Sequence, residues 1–114
     1  SYFQSGKQIQ LINTTENYSV EIADATPLCL IINEVVTNSF KHAFNHTDVG
    51  EIKIDISKEK KIIMISDNGV GFDYDSSKKN SLGMSLINDL SEQIDAKFNF
   101  KNENGTHFTL FLIN

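Results

Sequence analysis

The chain has 114 residues, one cysteine, a net charge of −5 and a hydrophobic fraction of 39%, values of one globular domain rather than of a disordered chain. No stretch approaches the roughly 18 apolar residues that a membrane span requires, and the lone Cys29 excludes an internal disulfide framework and clustered-cysteine zinc sites. The acidic balance argues against nucleic acid as a partner, and because all ten basic residues are lysine, an anion must be held by lysines, helix N-termini and backbone amides instead of a guanidinium fork.

Residues Ser1–Gly6 resemble the remnant of a cleaved expression tag and are set apart from a single domain expected over 7–114. Lys7–Asn13 alternates apolar and polar residues and predicts a strand. A polar stretch follows, then a short extended piece over Tyr18–Ile22. Thr26-Pro27 reads as a helix start, with a hydroxyl at the cap and proline at the first helical position. From Leu28 to Phe44 the apolar residues Ile32, Val36, Phe40 and Ala43 recur at helical spacing and predict the core-facing stripe, with Cys29 a small buried residue among them. Ile52, Ile54 and Ile56 alternate with Lys53 and Asp55, predicting a half-buried strand, and the apolar run Ile62–Ile65 a second one. Asp67–Asn80 is polar, glycine-bearing and irregular. Leu82–Ile94 is helical by period. Phe98 and Phe100, then Phe108, Leu110 and Leu112, predict two closing strands around an Asn104-Gly105 turn. Strands joined mainly as hairpins, with helices on one face, define an α+β two-layer sandwich with a mixed, mostly antiparallel sheet.

Three motifs carry chemistry. On the long helix, Glu34, Asn38, Lys41 and His42 stand at i, i+4, i+7 and i+8, one stripe. Such a stripe is either the solvated side of an amphipathic helix or a ligand set. The second reading has a carboxylate and an amide oxygen sharing a hard cation, with a lysine and an imidazole one turn on that meet phosphate oxygens. Asp67-Asn68-Gly69-Val70-Gly71 follows the buried strand, where a carboxylate can accept from an exocyclic amine and two glycines let a flat ligand approach; a plain Asn-Gly turn is the alternative. It fits neither an EF-hand loop, having lysine at the position of the bidentate glutamate, nor a Rossmann fingerprint. Ser81-Leu82-Gly83-Met84, after Lys78-Lys79, opens the second helix, either as an ordinary cap or as an anion site. In this order the three describe a site for a purine nucleotide with Mg²⁺.

These residues resemble the catalytic and ATP-binding domain of bacterial sensor histidine kinases, within the ATPase superfamily shared with gyrase B, Hsp90 and MutL. The resemblance runs over about Gln8 to Ile113. Ile32–Phe44 is similar to the N box, Asp67–Phe72 to the G1 box, Ser81–Met84 to the G2 box, and Gly105-Thr106-His107-Phe108 to the terminal strand motif. The wording of the N and G2 boxes is that of the subgroup with a variant phosphoacceptor helix. The resemblance implies that Asn38 ligates Mg²⁺ assisted by Glu34, the two carrying the catalytic assignment, and that Lys41 and His42 contact phosphates. It implies that Asp67 accepts from the adenine amino group with Thr106 nearby through water. Gly69 and Gly71 then shape the adenine pocket, Phe72–Asn80 forms the lid with Phe72 among the ATP-binding residues, and Gly83 with the neighbouring Ser81 and Leu82 holds the β- and γ-phosphates. Ser81 stands where many relatives have a glycine, the lid is short, and no aromatic F box is evident.

The implied reaction passes the γ-phosphoryl of ATP to a histidine, by positioning and charge stabilisation. Its partners are a phosphoacceptor helical domain and a response regulator. Of His42, His46 and His107 none lies in a segment resembling a phosphoacceptor helix, so the chain is expected to bind ATP without phosphorylating itself and to be mostly monomeric. The expected compartment is the cytoplasm, with the anchoring of the parent protein open. Two alternatives stand beside this one: a serine kinase of the anti-sigma-factor type, and a nucleotide-binding module without kinase activity.

Overall fold

The computed structural model describes residues 8–13, 19–20, 22–43, 49–69 and 82–112. Their order is β1 (Gln8–Asn13), α1 (Ile22–Asn38) continuing into a π-helical turn (Ser39–Ala43), β2 (Val49–Ser57), β3 (Ile62–Asp67), α2 (Leu82–Gln93), β4 (Ala96–Asn102) and β5 (Thr106–Leu112). One five-stranded sheet in the order β1-β2-β3-β5-β4 results. β1 and β2 run parallel, joined through α1, and the other pairings are antiparallel. This is the predicted α+β sandwich.

Period-two alternation puts one face of the sheet inward. Ile52, Ile63, Ile65, Phe108 and Leu110 are at most 1% exposed, and cross-strand register stacks Ile65 between Ile54 and Phe108. Phe108 lies 5.0 Å from Phe100 and 5.9 Å from Phe98 between ring centroids, an aromatic group at the β4–β5 end. Met64 and Phe111 point to the other face and are exposed. Helix α2 contributes Met84, Ile87 and Ser91 at helical spacing, followed by the buried Ile94 in the turn after it, and α1 packs against α2.

The structure corrects the sequence reading in α1. The helix opens at Ile22, not at Thr26, so Pro27 lies inside it and Ser19-Val20 is not a strand. Pro27 stands in the second turn, where it costs the helix the one bond that an N–H at this position would make to the Ala23 carbonyl, and it is buried, as is Leu28. The deepest stripe is Leu28, Ile31, Val35 and Ser39, with Ile32, Val36 and Phe40 packed on its margin. The core direction is thus rotated from the predicted one, and Glu34 and Asn38 flank the core half-buried instead of opposing it. Cys29 is exposed, contrary to the expectation of burial.

Candidate functional site

Strand β3 delivers Asp67 to the edge of the buried face, 5% exposed. Its carboxylate is held from three directions. Ser39 Oγ donates to Oδ2 at 2.8 Å. The Gly69 amide donates to Oδ1 at 3.0 Å, and the Thr106 amide donates to the same oxygen at 3.1 Å. A carboxylate offers about four lone-pair directions, so these bonds use both on Oδ1 and one on Oδ2. Among the described residues no second donor meets Oδ2, so one of its lone pairs is left for a donor from elsewhere.

The three donors come from the π turn that follows α1, from the turn after β3 and from β5, so separate elements of the sandwich fix the orientation of this carboxylate. The β5 arm depends on Gly105. Its φ is +122°, and a β-carbon there would lie 2.9 Å from the Asp67 carbonyl carbon and run into the carbonyl oxygen. Only glycine permits that approach. Asn68 locks the other side: its Oδ1 accepts from the Glu51 amide at 2.8 Å, and its own amide donates to the Glu51 carbonyl at 3.3 Å. Next to Asp67 the hydroxyl of Thr106 is buried and has no hydrogen-bond partner among the described residues. A buried hydroxyl of this kind costs free energy unless water or a ligand satisfies it. Thr106 thus brings to Asp67 both a bonded amide and, on the same residue, a hydroxyl without a partner among the described residues.

On α1, Glu34 and Asn38 are half-buried one turn apart, the predicted pair. Glu34 lies over Gly83 in the first turn of α2: a β-carbon at Gly83 would stand 3.2 Å from Glu34 Cδ and closer still to Oε2. Lys41 is exposed in the π turn. The wider winding of that turn advances each residue by less than an α-helix does, so Lys41 departs from the position an uninterrupted α-helix would give it. The side chains of His42 and Leu82 lie outside the described residues, as do Gly71, Phe72, Ser81 and the lid segment 72–80. Gly69 is described, and its amide binds Asp67. Sequence reasoning missed Ser39; its signal is a lone hydroxyl at a position of helical period that is otherwise apolar. An open cleft of about 590 Å³ between α2 and β4, lined by Ser91, Lys97 and Phe98 among others, contains none of the predicted site residues.

Asp67 thus ends the central strand of the sheet, and α1 carries Glu34 and Asn38 half-buried on the same layer as the helix that opens at Leu82. The fold is similar to that of two solved structures, the histidine kinase domain of the Erythrobacter litoralis EL346 blue-light activated histidine kinase (TM-score 0.81, 22% identity, covering 90% of this chain and 53% of that one) and the catalytic domain of histidine kinase ThkA (TM-score 0.67, 20% identity, 92% and 76%). The chain belongs to the histidine kinase-, DNA gyrase B- and HSP90-like ATPase family, whose profile matches residues 23–113. Among curated proteins it is similar to the serine-protein kinase RsbW of Listeria monocytogenes (serotype 4a), 41% identical over 54 residues that make up 46% of this chain and 34% of that protein. RsbW of Bacillus cereus (strain AH187) is 37% identical over 89 residues, 62% of this chain and 55% of that protein. The chain therefore spans between about a third and a little over half of the curated relatives it matches.

Proposed function

We propose that this chain is the ATP-binding catalytic domain of a two-component sensor histidine kinase, passing the γ-phosphoryl of ATP to a histidine on a separate phosphoacceptor helical domain, from which a response regulator receives it. The observation that carries the reading is the open lone pair of Asp67 Oδ2 beside the unpartnered hydroxyl of Thr106. The adenine amino group donates to Asp67, and Thr106 reaches the ring directly or through water. Gly69 leaves room beside the base, with Gly71 and Phe72 completing the pocket. Asn38 and Glu34 supply one amide oxygen and one carboxylate, a hard-oxygen pair suited to Mg²⁺, which takes its remaining ligands from phosphates and water. Mg²⁺ when bound neutralises charge on the transferring phosphate. Lys41 and His42 stand one turn further along the helix for phosphate oxygens, and Ser81, Leu82 and Gly83 offer the free amides of a helix start. The domain acts in the cytoplasm; no helix among the described residues is long and apolar enough to cross a membrane.

A second reading has its own support. The curated relatives are named serine-protein kinases and share 37–41% identity with the matched segments. In that reading the same nucleotide site phosphorylates a serine on a separate protein of the anti-sigma-factor system. The two are separated by labelling the natural protein and the products of its neighbouring genes from [γ-³²P]ATP. Label that is lost in acid and kept in alkali supports the histidine kinase, whereas acid-stable phosphoserine supports the other.

A further inference from the structure

We infer that Gly83 is a positioning residue for Glu34: its bare Cα is what allows the Glu34 carboxylate to rest against the first turn of α2, beside the phosphate end of the site. The inference rests on the functional reading above and adds to Gly83 a role distinct from touching phosphate.

The two residues come from different helices, at positions 34 and 83 of the chain. Glu34 lies twelve residues into α1 and half-buried, and Gly83 is the second residue of α2. A β-carbon at Gly83 would stand 3.2 Å from Glu34 Cδ and 3.7 Å from Cγ, with Oε2 nearer than either. No positive φ is involved at Gly83, so the backbone there is open to any residue. What glycine provides is space, and the group that fills the space is the end of the Glu34 side chain. The first-turn amides of α2 lack intrahelical partners, and the positive end of the helix dipole favours a carboxylate there. Glu34 is thus steered sterically by Gly83 and electrostatically by the helix end, with Asn38 one turn away on the same helix. A methyl group at residue 83 pushes the flexible Glu34 side chain aside and leaves the backbone where it is. Alanine also suits a helix better than glycine. The fold therefore survives the change and the carboxylate is misplaced.

The test is a four-member cycle on the full chain: wild type, Gly83→Ala, Glu34→Asp and the double variant. Each is measured for slow ATP hydrolysis with Mg²⁺ and, by calorimetry, for Mg-ADP binding. In parallel, NMR reads the proximity of the Gly83 α-protons to the Glu34 γ-methylene in the wild type. The expected results are a detectable contact, a turnover of Gly83→Ala reduced tenfold or more, and recovery of at least a third of the lost activity when Glu34→Asp is added. Aspartate is shorter by one methylene and makes room for the new methyl group. A glycine needed only for the close approach of phosphate gives no such recovery. Absence of the NMR contact, full turnover in Gly83→Ala, or a double variant no better than Gly83→Ala overturns the inference. A wild type that shows the contact yet binds no Mg-ADP overturns the nucleotide reading itself and the positioning role with it, and the binding measurement tells that failure apart from the others.

Discussion

The amide of Thr106 donates to Asp67 Oδ1 at 3.1 Å, tying the first residue of β5 to the last residue of β3. The bond exists because Gly105, at φ +122°, lets the β4–β5 turn pass against the Asp67 carbonyl. One short turn therefore serves two ends: it joins β4 to β5, and it helps to fix the carboxylate proposed to receive the ligand.

Gly105→Ala forces an unfavourable φ and drives a methyl group into the Asp67 backbone, which cannot retreat as a side chain can. A loss of about 2–4 kcal/mol is expected, read as a thermal midpoint lower by roughly 10 °C or more. Asn104→Ala, at φ 57° on the exposed side of the same turn, should cost no more than about 1–2 kcal/mol. Equal melting temperatures for wild type and Gly105→Ala would contradict the close approach.

Ser39→Ala removes the bond to Asp67 Oδ2 and leaves a small apolar residue in an apolar position. Its stability cost is about 1 kcal/mol. Its effect on nucleotide should be larger in proportion, a several-fold weaker Mg-ADP affinity, because Oδ2 is the oxygen that the proposed function assigns to the adenine amino group. Denaturant unfolding and calorimetry on the same preparation separate the two effects.

The two faces of the sheet predict opposite mutational responses. Phe108→Ala empties a site 1% exposed within the Phe98–Phe100 group and should cost about 3–5 kcal/mol. Met64→Ala, on the outward face at 43% exposure, should stay within about 1 kcal/mol. Comparable losses at both would place the core on the wrong face.

The chain alone, incubated with [γ-³²P]ATP, should acquire no phosphohistidine. His107 is half-buried in β5 with Nε2 2.9 Å from the Glu103 carbonyl, engaged in the β4–β5 turn and not set on a helix as an acceptor. Alkali-stable, acid-labile label on the isolated chain would contradict this.

Element order and class were legible because period-two runs such as Ile52–Ile56 and period-3.6 runs such as Met84–Ile94 report burial directly. The start of α1 was not, since proline marks a first turn more often than a second one. The rotation of its buried stripe was not legible either, because Leu28, Ile31 and Val35 compete in the sequence with an equally apolar set, Ile32, Val36 and Phe40, and only the sheet decides between them. The place of Asp67 at the end of a buried strand could be read from the sequence, and the role proposed for it rests on that place. Its three donors come from residues 39, 69 and 106, a convergence that no local pattern contains. The Gly83–Glu34 contact is hidden for the same reason.

The most direct test is calorimetric titration of the wild type and Asp67→Asn with Mg-ADP and Mg-GDP. In the variant the amide oxygen must keep the bonds from Gly69 and Thr106, so its NH₂ replaces Oδ2 and presents a donor where the ligand had an acceptor. The account predicts that the wild type binds Mg-ADP and discriminates against Mg-GDP by at least tenfold, and that Asp67→Asn loses Mg-ADP affinity by a similar factor or more while remaining folded. Equal binding of both nucleotides by the wild type, or undiminished Mg-ADP binding by the variant, would contradict it.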